Sequence, residues 1–503
     1  MRRPGLLTCP GCLPYFLQQH AEEEAPVRHI STVQEPGGGK AAAPVLGRIL
    51  RKAGTLFMAA AIALPSLTAP SAAQGRKIPV VRDAETEELL RDYAAPIFKA
   101  AGLPQGQVEI ILVNENTFNA FVPDARRMFI NVGVLMEAET PGEVIGVIAH
   151  EAGHIAGRHL VRLRTALANA QIMTVVGMVL GAGAMAAGVS SNSSGATGGG
   201  AAIAMGAPGI GQRSLLAYQR GEEAAADKAA LRYLEMTGQS AKGMLRTFER
   251  FADQQLFSAK YTDPYAQSHP MARERYNALE EQARKSKYFD KPAPPALQAR
   301  HDMVRAKLTA FTSHPNAVAR LYPRSDTSMP AQYARAVAAM RSSGRAAVKD
   351  IDALIAKQPD NPHFHELKGQ ALLESGNPKA AIPSFQRAVQ LRPNEGQFLI
   401  WLGYAMVGAN EPSLLAEAER ILKNGIQRDP NSGIAFSQLA IAQGRQGKQA
   451  EADVSTAQGM MMAGDFQAAK RYAARAQKNL KPGTPAWILA DDILTYTPPA
   501  LNR

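Results

Sequence analysis

The stretch TPGEVIGVIAHEAGHIAGRH, residues 140–159, sets three histidines and two glutamates in a run of small and apolar residues. Thr140 can cap a helix, Pro141 suits its first position, and Glu143 completes a capping box with Thr140. A helix that begins there carries His150 and His154 four residues apart on one face, with Glu151 beside them. This is H-E-x-x-H: two imidazoles one turn apart reach one zinc ion, and the glutamate between them can act as a general base. A histidine on an apolar helix is otherwise a hydrogen-bonded core residue. A catalytic zinc also needs a third protein ligand and an open position. The chain must therefore fold so that a second element completes the set.

The segment SLLAYQRGEEAAADKAALRYLEMTG, residues 214–238, is strongly helical and ends at Gly238. Within it Glu223 and Asp227 lie one turn apart. If Glu223 is the third ligand, Asp227 shares its face and can accept a hydrogen bond from a ligand histidine, fixing its tautomer. Glutamates in helices are more often plain solvated carboxylates. Glu222 points about a quarter-turn away and is a poorer candidate. His159 competes, because zinc proteases with H-E-x-x-H-x-x-G-x-x-H take a later histidine. Here Gly157 and His159 follow His154 too closely for that pattern, so Glu223 is preferred.

Around these motifs, AETEELLRDYAAPIFKAAGL reads as a helix ending at Gly102, and residues 108–113 and 127–133 read as strands of a small sheet. Residues 76–285 thus form one α+β unit. Pro292, Pro294 and Pro295 mark a linker over 286–327. From 328 to 490 the chain is repetitive. Gly369, Gly376, Ala381, Phe385, Ala388 and Pro393 fall at the small, aromatic and proline positions of a 34-residue tetratricopeptide repeat, and degenerate copies follow. Stacked helical hairpins make an all-α solenoid with a protein-binding surface.

Residues 1–73 read as a leader. Arg48, Arg51 and Lys52, an apolar run over 53–64 and the small residues Ser71-Ala72-Ala73 give residues 47–73 the form of a secretory signal. Cys9 and Cys12, the chain's two cysteines, lie in this leader, so its removal leaves no thiol, which suits an oxidising compartment. The formal charge of +12 is spread along 503 residues without a basic block, so no nucleic-acid partner is expected. Residues 171–212, rich in Gly, Ala, Met and Ser, suggest an apolar hairpin that serves as a lid or as a peripheral membrane contact.

Together NAF (119–121), RMFINVGVL, VIAHEAGHIAGRH, YQRGEEAAAD and SHPMARER resemble the HtpX/BepA-type zinc metalloproteases, and closely their periplasmic members with C-terminal tetratricopeptide repeats. With the repeats, the resemblance covers most of the chain after residue 76. It implies a gluzincin fold, mainly helical with a small sheet, holding one Zn2+ per chain. By the same resemblance His150, His154 and Glu223 are the metal ligands, Glu151 is the general base and Asp227 orients a ligand histidine. The family's His-Pro-x4-Arg element matches His269, Pro270 and Arg275. The corresponding histidine lies by the metal in relatives, stabilising the oxyanion or blocking the water position, and Arg275 stands behind the ligands with Asp227. Without the resemblance, His269 reads as a surface loop residue. The implied function is a periplasmic zinc metalloendopeptidase acting on misfolded or misassembled envelope proteins. Its repeats would bind those substrates or outer-membrane assembly machinery. The other reading is a chaperone or assembly factor whose site is self-inhibited.

Overall fold

The computed structural model describes residues 78–168, 218–257, 269 and 273–498, with helical positions at 172, 176, 178 and 180. The leader, its signal segment and most of the 171–212 run lie outside the described residues.

Asp83 caps α1 (Ala84–Ala100), its carboxylate accepting from the Thr86 N–H at 2.9 Å. Leu89, Leu90, Tyr93, Ala94 and Ile97 turn one apolar stripe of α1 into the core. Gly102 stops the helix region with φ +71°. Among the described residues the sheet has four strands: β1 (Val80–Val81), β2 (Glu109–Val113), β3 (Ala120–Phe121) and β4 (Arg127–Asn131), in the order β1-β2-β4-β3. β2 and β4 run parallel, Glu109 opposite Arg127 through Val113 opposite Asn131, and the two outer strands are antiparallel. β4 stops two residues before the expected strand end. The Asn131 side-chain amide donates to the Thr117 hydroxyl at 3.0 Å, and the chain turns at once into α2 (Val132–Glu137).

α3 (Pro141–Ala156) carries the H-E-x-x-H residues. The Glu143 carboxylate accepts from the Thr140 N–H at 3.1 Å and from its hydroxyl at 3.0 Å, so the start of the helix is set where the sequence places it. α3 is buried almost all round, with Val144, Val147, Ile148, Ala149 and Ala152 at 0–1% exposure. It packs against α1 and against α6 (Lys242–Phe257). Between them lie α4 (residues 159–168) and α5 (residues 218–236), and α7 (Arg273–Ala283) follows α6.

The linker expected over 286–327 is instead largely helical. Pro294 and Pro295 open α8 (Pro295–Thr312), where a proline at the first helical position is favoured, and α9 (Pro315–Leu321) follows. Pro295 thus starts a helix within the segment expected as the linker. His301 on α8 is fully buried, with Nε2 2.9 Å from the Ala138 carbonyl and Nδ1 3.1 Å from the Tyr93 hydroxyl. Val80–Arg503 accordingly clusters as one compact unit.

The C-terminal part is an all-α solenoid of paired helices, including Pro362–Glu374 with Pro378–Leu391, Gly396–Gly408 with Leu415–Arg428, and Gly433–Arg445 with Gln449–Ala463. A Cβ on Gly369 would stand 2.7 Å from the Phe385 ring, so the small residue is what lets the two helices of that pair cross. Ala381, Phe385 and Ala388 have no exposed surface, as repeat positions that face the partner helix must.

The α+β unit meets the solenoid through α1. Lys307 of α8 is buried with its Nζ 2.5 Å from Asp83 and 3.2 Å from Glu85, and the Tyr333 hydroxyl donates to Glu85 at 2.8 Å. Arg82 reaches Asp429 at 2.7 Å, and Arg392 reaches Glu88 at 3.3 Å. Ala84 packs with Ala388 and Phe398 beneath these charges.

Candidate metal centre

Three elements converge. His150 and His154 project from α3, Glu223 from α5, and His269 arrives from the chain preceding α7; one donor atom of each lies within 4.8 Å of every other. His150 Nε2 is 3.0 Å from His154 Nε2, 3.3 Å from His269 Nδ1 and 3.3 Å from Glu223 Oε2. His154 Nε2 is 3.4 Å from Glu223 Oε1, and His269 Nδ1 is 3.1 Å from each Glu223 oxygen. Zinc bonds of about 2.0–2.1 Å in a tetrahedron put the donors roughly 3.3 Å apart, so these separations fit the edges of such a site. Nitrogen and carboxylate donors are also the set that zinc prefers. Elsewhere among the described residues no other group of histidines, cysteines and carboxylates converges in this way.

The close approach of α5 to α3 has a local cause. A Cβ on Gly153, the residue before His154, would lie 2.9 Å from the Ala226 carbonyl oxygen and 3.0 Å from its Cα. Only glycine lets the α5 backbone come this near, and that approach carries Glu223 and Asp227 to the face with the histidines. Phe248 of α6 closes the far side, edge to face with the His150 ring at 5.6 Å.

Behind the donors, His150 Nδ1 lies 2.9 Å from Asp227 Oδ1, which leaves Nε2 to face the centre. Arg275 pairs with both Asp227 oxygens and with Glu223 Oε2. Glu151 is 1% exposed; neither carboxylate oxygen accepts a hydrogen bond among the described residues, and the closest basic nitrogen is His269 Nε2 at 3.4 Å. His159, the competing ligand from sequence, sits on the other side of the His154 ring, Nδ1 to Nδ1 at 2.9 Å, and outside the converging set. Glu222 turns away from the centre and meets His159 and Arg162.

The charges favour a cation. Burial opposes a protonated His150, yet hydrogen bonds to Asp227 and Glu223 raise its pKa to about 10. Burial works against an ionised Glu223, but His150 and His269 hold it well below the usual carboxylate range. Burial likewise opposes charge on Asp227, and His150 with Arg275 keeps it low. His154 is pushed well below its ordinary value, first by burial and then by the neighbouring His150. Glu151 moves the other way. Burial raises its pKa, which makes it a stronger base than an exposed glutamate.

Residues 82–283 match the model of Peptidase family M48. This part of the chain is an M48 peptidase domain. Over 418 residues, 81% of this chain and 82% of the relative, the protein is 22% identical to a putative beta-barrel assembly-enhancing protease of Vibrio cholerae serotype O1. Over 383 residues, 74% of this chain and 75% of the relative, it is 23% identical to the beta-barrel assembly-enhancing protease of Yersinia pestis. A solved structure described as YrrB, a TPR protein with an unusual peptide-binding site, aligns with 36% of this chain and 92% of its own at 19% identity and a TM-score of 0.29. A domain of the M48 peptidase family indicates a metalloprotease, and the buried His/Glu group is compatible with a metal cofactor.

Sequence reading alone did not assign His159 a supporting place, nor show that Arg275 reaches two carboxylates at once. Arg275 was legible only through the His-Pro-x4-Arg element it shares with His269; no spacing ties it to Asp227, 48 residues away.

Proposed function

We propose that the chain is a zinc metalloendopeptidase of the bacterial envelope, acting in the periplasm on misfolded or misassembled proteins. The observation that carries this reading is the convergence of His150, His154, Glu223 and His269 beside a buried, unbonded Glu151 carboxylate. His150, His154 and Glu223 would hold the zinc ion. When bound there, the ion supplies Lewis acidity that polarises a peptide carbonyl and makes water easier to deprotonate. Glu151 takes the proton from the attacking water on a carboxylate oxygen and returns it to the leaving amine nitrogen. Asp227 keeps the His150 proton on Nδ1, and Arg275 holds Asp227 and Glu223 in place. The strand over 108–113 or its neighbour could offer an edge to an extended substrate; β2 itself is paired on both sides, and among the described residues the outer strands are its neighbour β1 and β3. β3, which packs beside α3, is the edge that would take a strand-like substrate.

The relatives named for beta-barrel assembly support an envelope setting and a role for the solenoid in binding substrates or assembly machinery. Among the described residues no helix is long and apolar enough to cross a membrane. A second reading, a chaperone or assembly factor with a largely self-inhibited site, is favoured by His269. Its Nδ1 completes a four-donor set and so takes the position that substrate needs.

Metal analysis paired with casein hydrolysis tests both readings. The purified chain should bind one zinc and cleave casein. Glu223→Ala should lose the metal, and Glu151→Gln should keep the metal but lose activity by at least about 100-fold. Under the self-inhibited reading, wild type is nearly inactive and His269→Ala gains activity. A chain that binds no zinc, or a Glu151→Gln variant that keeps full activity, overturns the enzymatic assignment.

A further inference from the structure

His159 stands five residues after His154, and on an unbroken helix it would point about 140° away from it. The chain breaks instead. α3 ends at Ala156, Gly157 turns, Arg158 adopts the left-handed φ of +53°, and α4 begins at His159. A non-glycine residue with this φ is strained and persists only where the surroundings require it. The break folds the His159 ring back under His154, so that the two Nδ1 atoms meet at 2.9 Å. Gly157 makes room for the ring, since a Cβ there would lie 2.1 Å from His159 Nε2. His159 is 6% exposed, and its Nε2 lies 3.0 Å from Glu222 Oε2, which also takes Arg162 at 2.7 Å.

We propose that His159, anchored by Glu222, is the positioning residue for the metal-binding ring of His154. The direction of the hydrogen bonds follows from the partners. A carboxylate can only accept, so His159 donates from Nε2 to Glu222 and leaves Nδ1 as an acceptor. His154 then donates from its own Nδ1, which leaves the Nε2 lone pair facing His150 and Glu223. The two ligand imidazoles are thus held from behind by different devices: Asp227 directly for His150, and a histidine–glutamate relay for His154. Gly157 and the strained Arg158 are the local geometry that builds the second one.

This inference rests on the zinc reading above, and its test separates the two. Zinc affinity of the full chain is measured by competition with a chromophoric chelator, alongside the melting temperature of the metal-free protein. His159→Ala should weaken zinc binding by about 10–100-fold while the metal-free melting temperature stays near that of wild type. His159→Gln, whose amide can both accept from His154 and donate to Glu222, should recover part of the loss. Gly157→Ala should reproduce the His159→Ala effect, and Glu222→Gln should weaken binding by less. Wild-type zinc binding with unchanged affinity in His159→Ala overturns the inference, as does a glutamine variant no better than alanine. Should His159→Ala fail to fold, Glu222→Gln decides, and wild-type affinity in that variant overturns the relay. A wild-type chain that binds no zinc overturns this inference together with the function it rests on.

Discussion

Arg275 grips Asp227 with two guanidinium nitrogens, Nε on Oδ2 and Nη2 on Oδ1 at 3.1 Å, while Nη2 also reaches Glu223 Oε2 at 3.2 Å. One planar cation from α7 thereby orients two carboxylates of α5. Lysine keeps the charge but has no fork with which to hold both. Arg275→Lys should therefore weaken zinc binding by about 10-fold and Arg275→Ala by about 100-fold, read by chelator competition. Equal affinity for wild type and Arg275→Ala would show that the fork has no part in holding the site.

Gly153 sets the spacing between α3 and α5. A methyl group there meets the Ala226 backbone, which cannot move aside as a side-chain tip can. Gly153→Ala should cost about 1–3 kcal/mol of stability through overpacking. It should also lower zinc affinity, because Glu223 and Asp227 retreat with α5. Urea unfolding of the metal-free protein and chelator competition read the two effects separately.

Lys307 joins the peptidase side to the solenoid from a fully desolvated position, 4% exposed and facing Asp83 and Glu85. Burial alone would lower its pKa, but the two carboxylates hold it well above the ordinary lysine value. Lys307→Met strands Asp83 without its partner and should cost on the order of 3–5 kcal/mol. Urea unfolding followed by both far-UV circular dichroism and tryptophan fluorescence should show a single shifted transition. Trp401 and Trp487 lie in the solenoid, so a fluorescence transition left in place would separate the solenoid from the joint.

His363 gives the same joint a pH dependence. Burial opposes its charge, but Glu85, Glu366 and Glu88 raise its pKa to about 9. Glu88 is lowered to about 2, chiefly by His363 and then, against burial, by Arg392. The stabilisation from charged His363 is complete below its unfolded value near 6.5 and is lost as the pH rises through about 9. That from Glu88 is complete above about 4.5 and is lost as the pH falls towards 2. Melting temperature should thus hold a plateau between about 4.5 and 6.5 and decline above it. His363→Gln should flatten the decline between pH 6.5 and 9. A decline of the same slope in the variant would assign it to other groups.

Much of this protein is written in short-range patterns. Thr140 and Glu143 mark where α3 begins, and the four-residue spacing of His150 and His154 puts both rings on one face whatever surrounds them. Glu223 and Asp227 share a face of α5 for the same reason. The small and aromatic positions from Gly369 to Ala388 encode a helical pair, because a contact within it such as that of Gly369 with Phe385 falls inside a single repeat. Helical periodicity relates residues a few positions apart, and such relations survive any tertiary arrangement.

What lies further apart was settled by packing alone. The prolines that seemed to mark a linker open α8 instead, because the core supplies its buried face with partners such as Tyr93 and Ala138. His159 looked like a rival ligand until the strained turn at Arg158 folded it behind His154. Arg275 and His269 reach the centre from 46 to 125 residues away along the chain, over distances that no local spacing encodes. The sequence by itself determined which side chains could bind a metal and how each helix presents them. Only the tertiary structure decided which of them meet, since that depends on how closely the helices can approach, and at Gly153 on the absence of one methyl group.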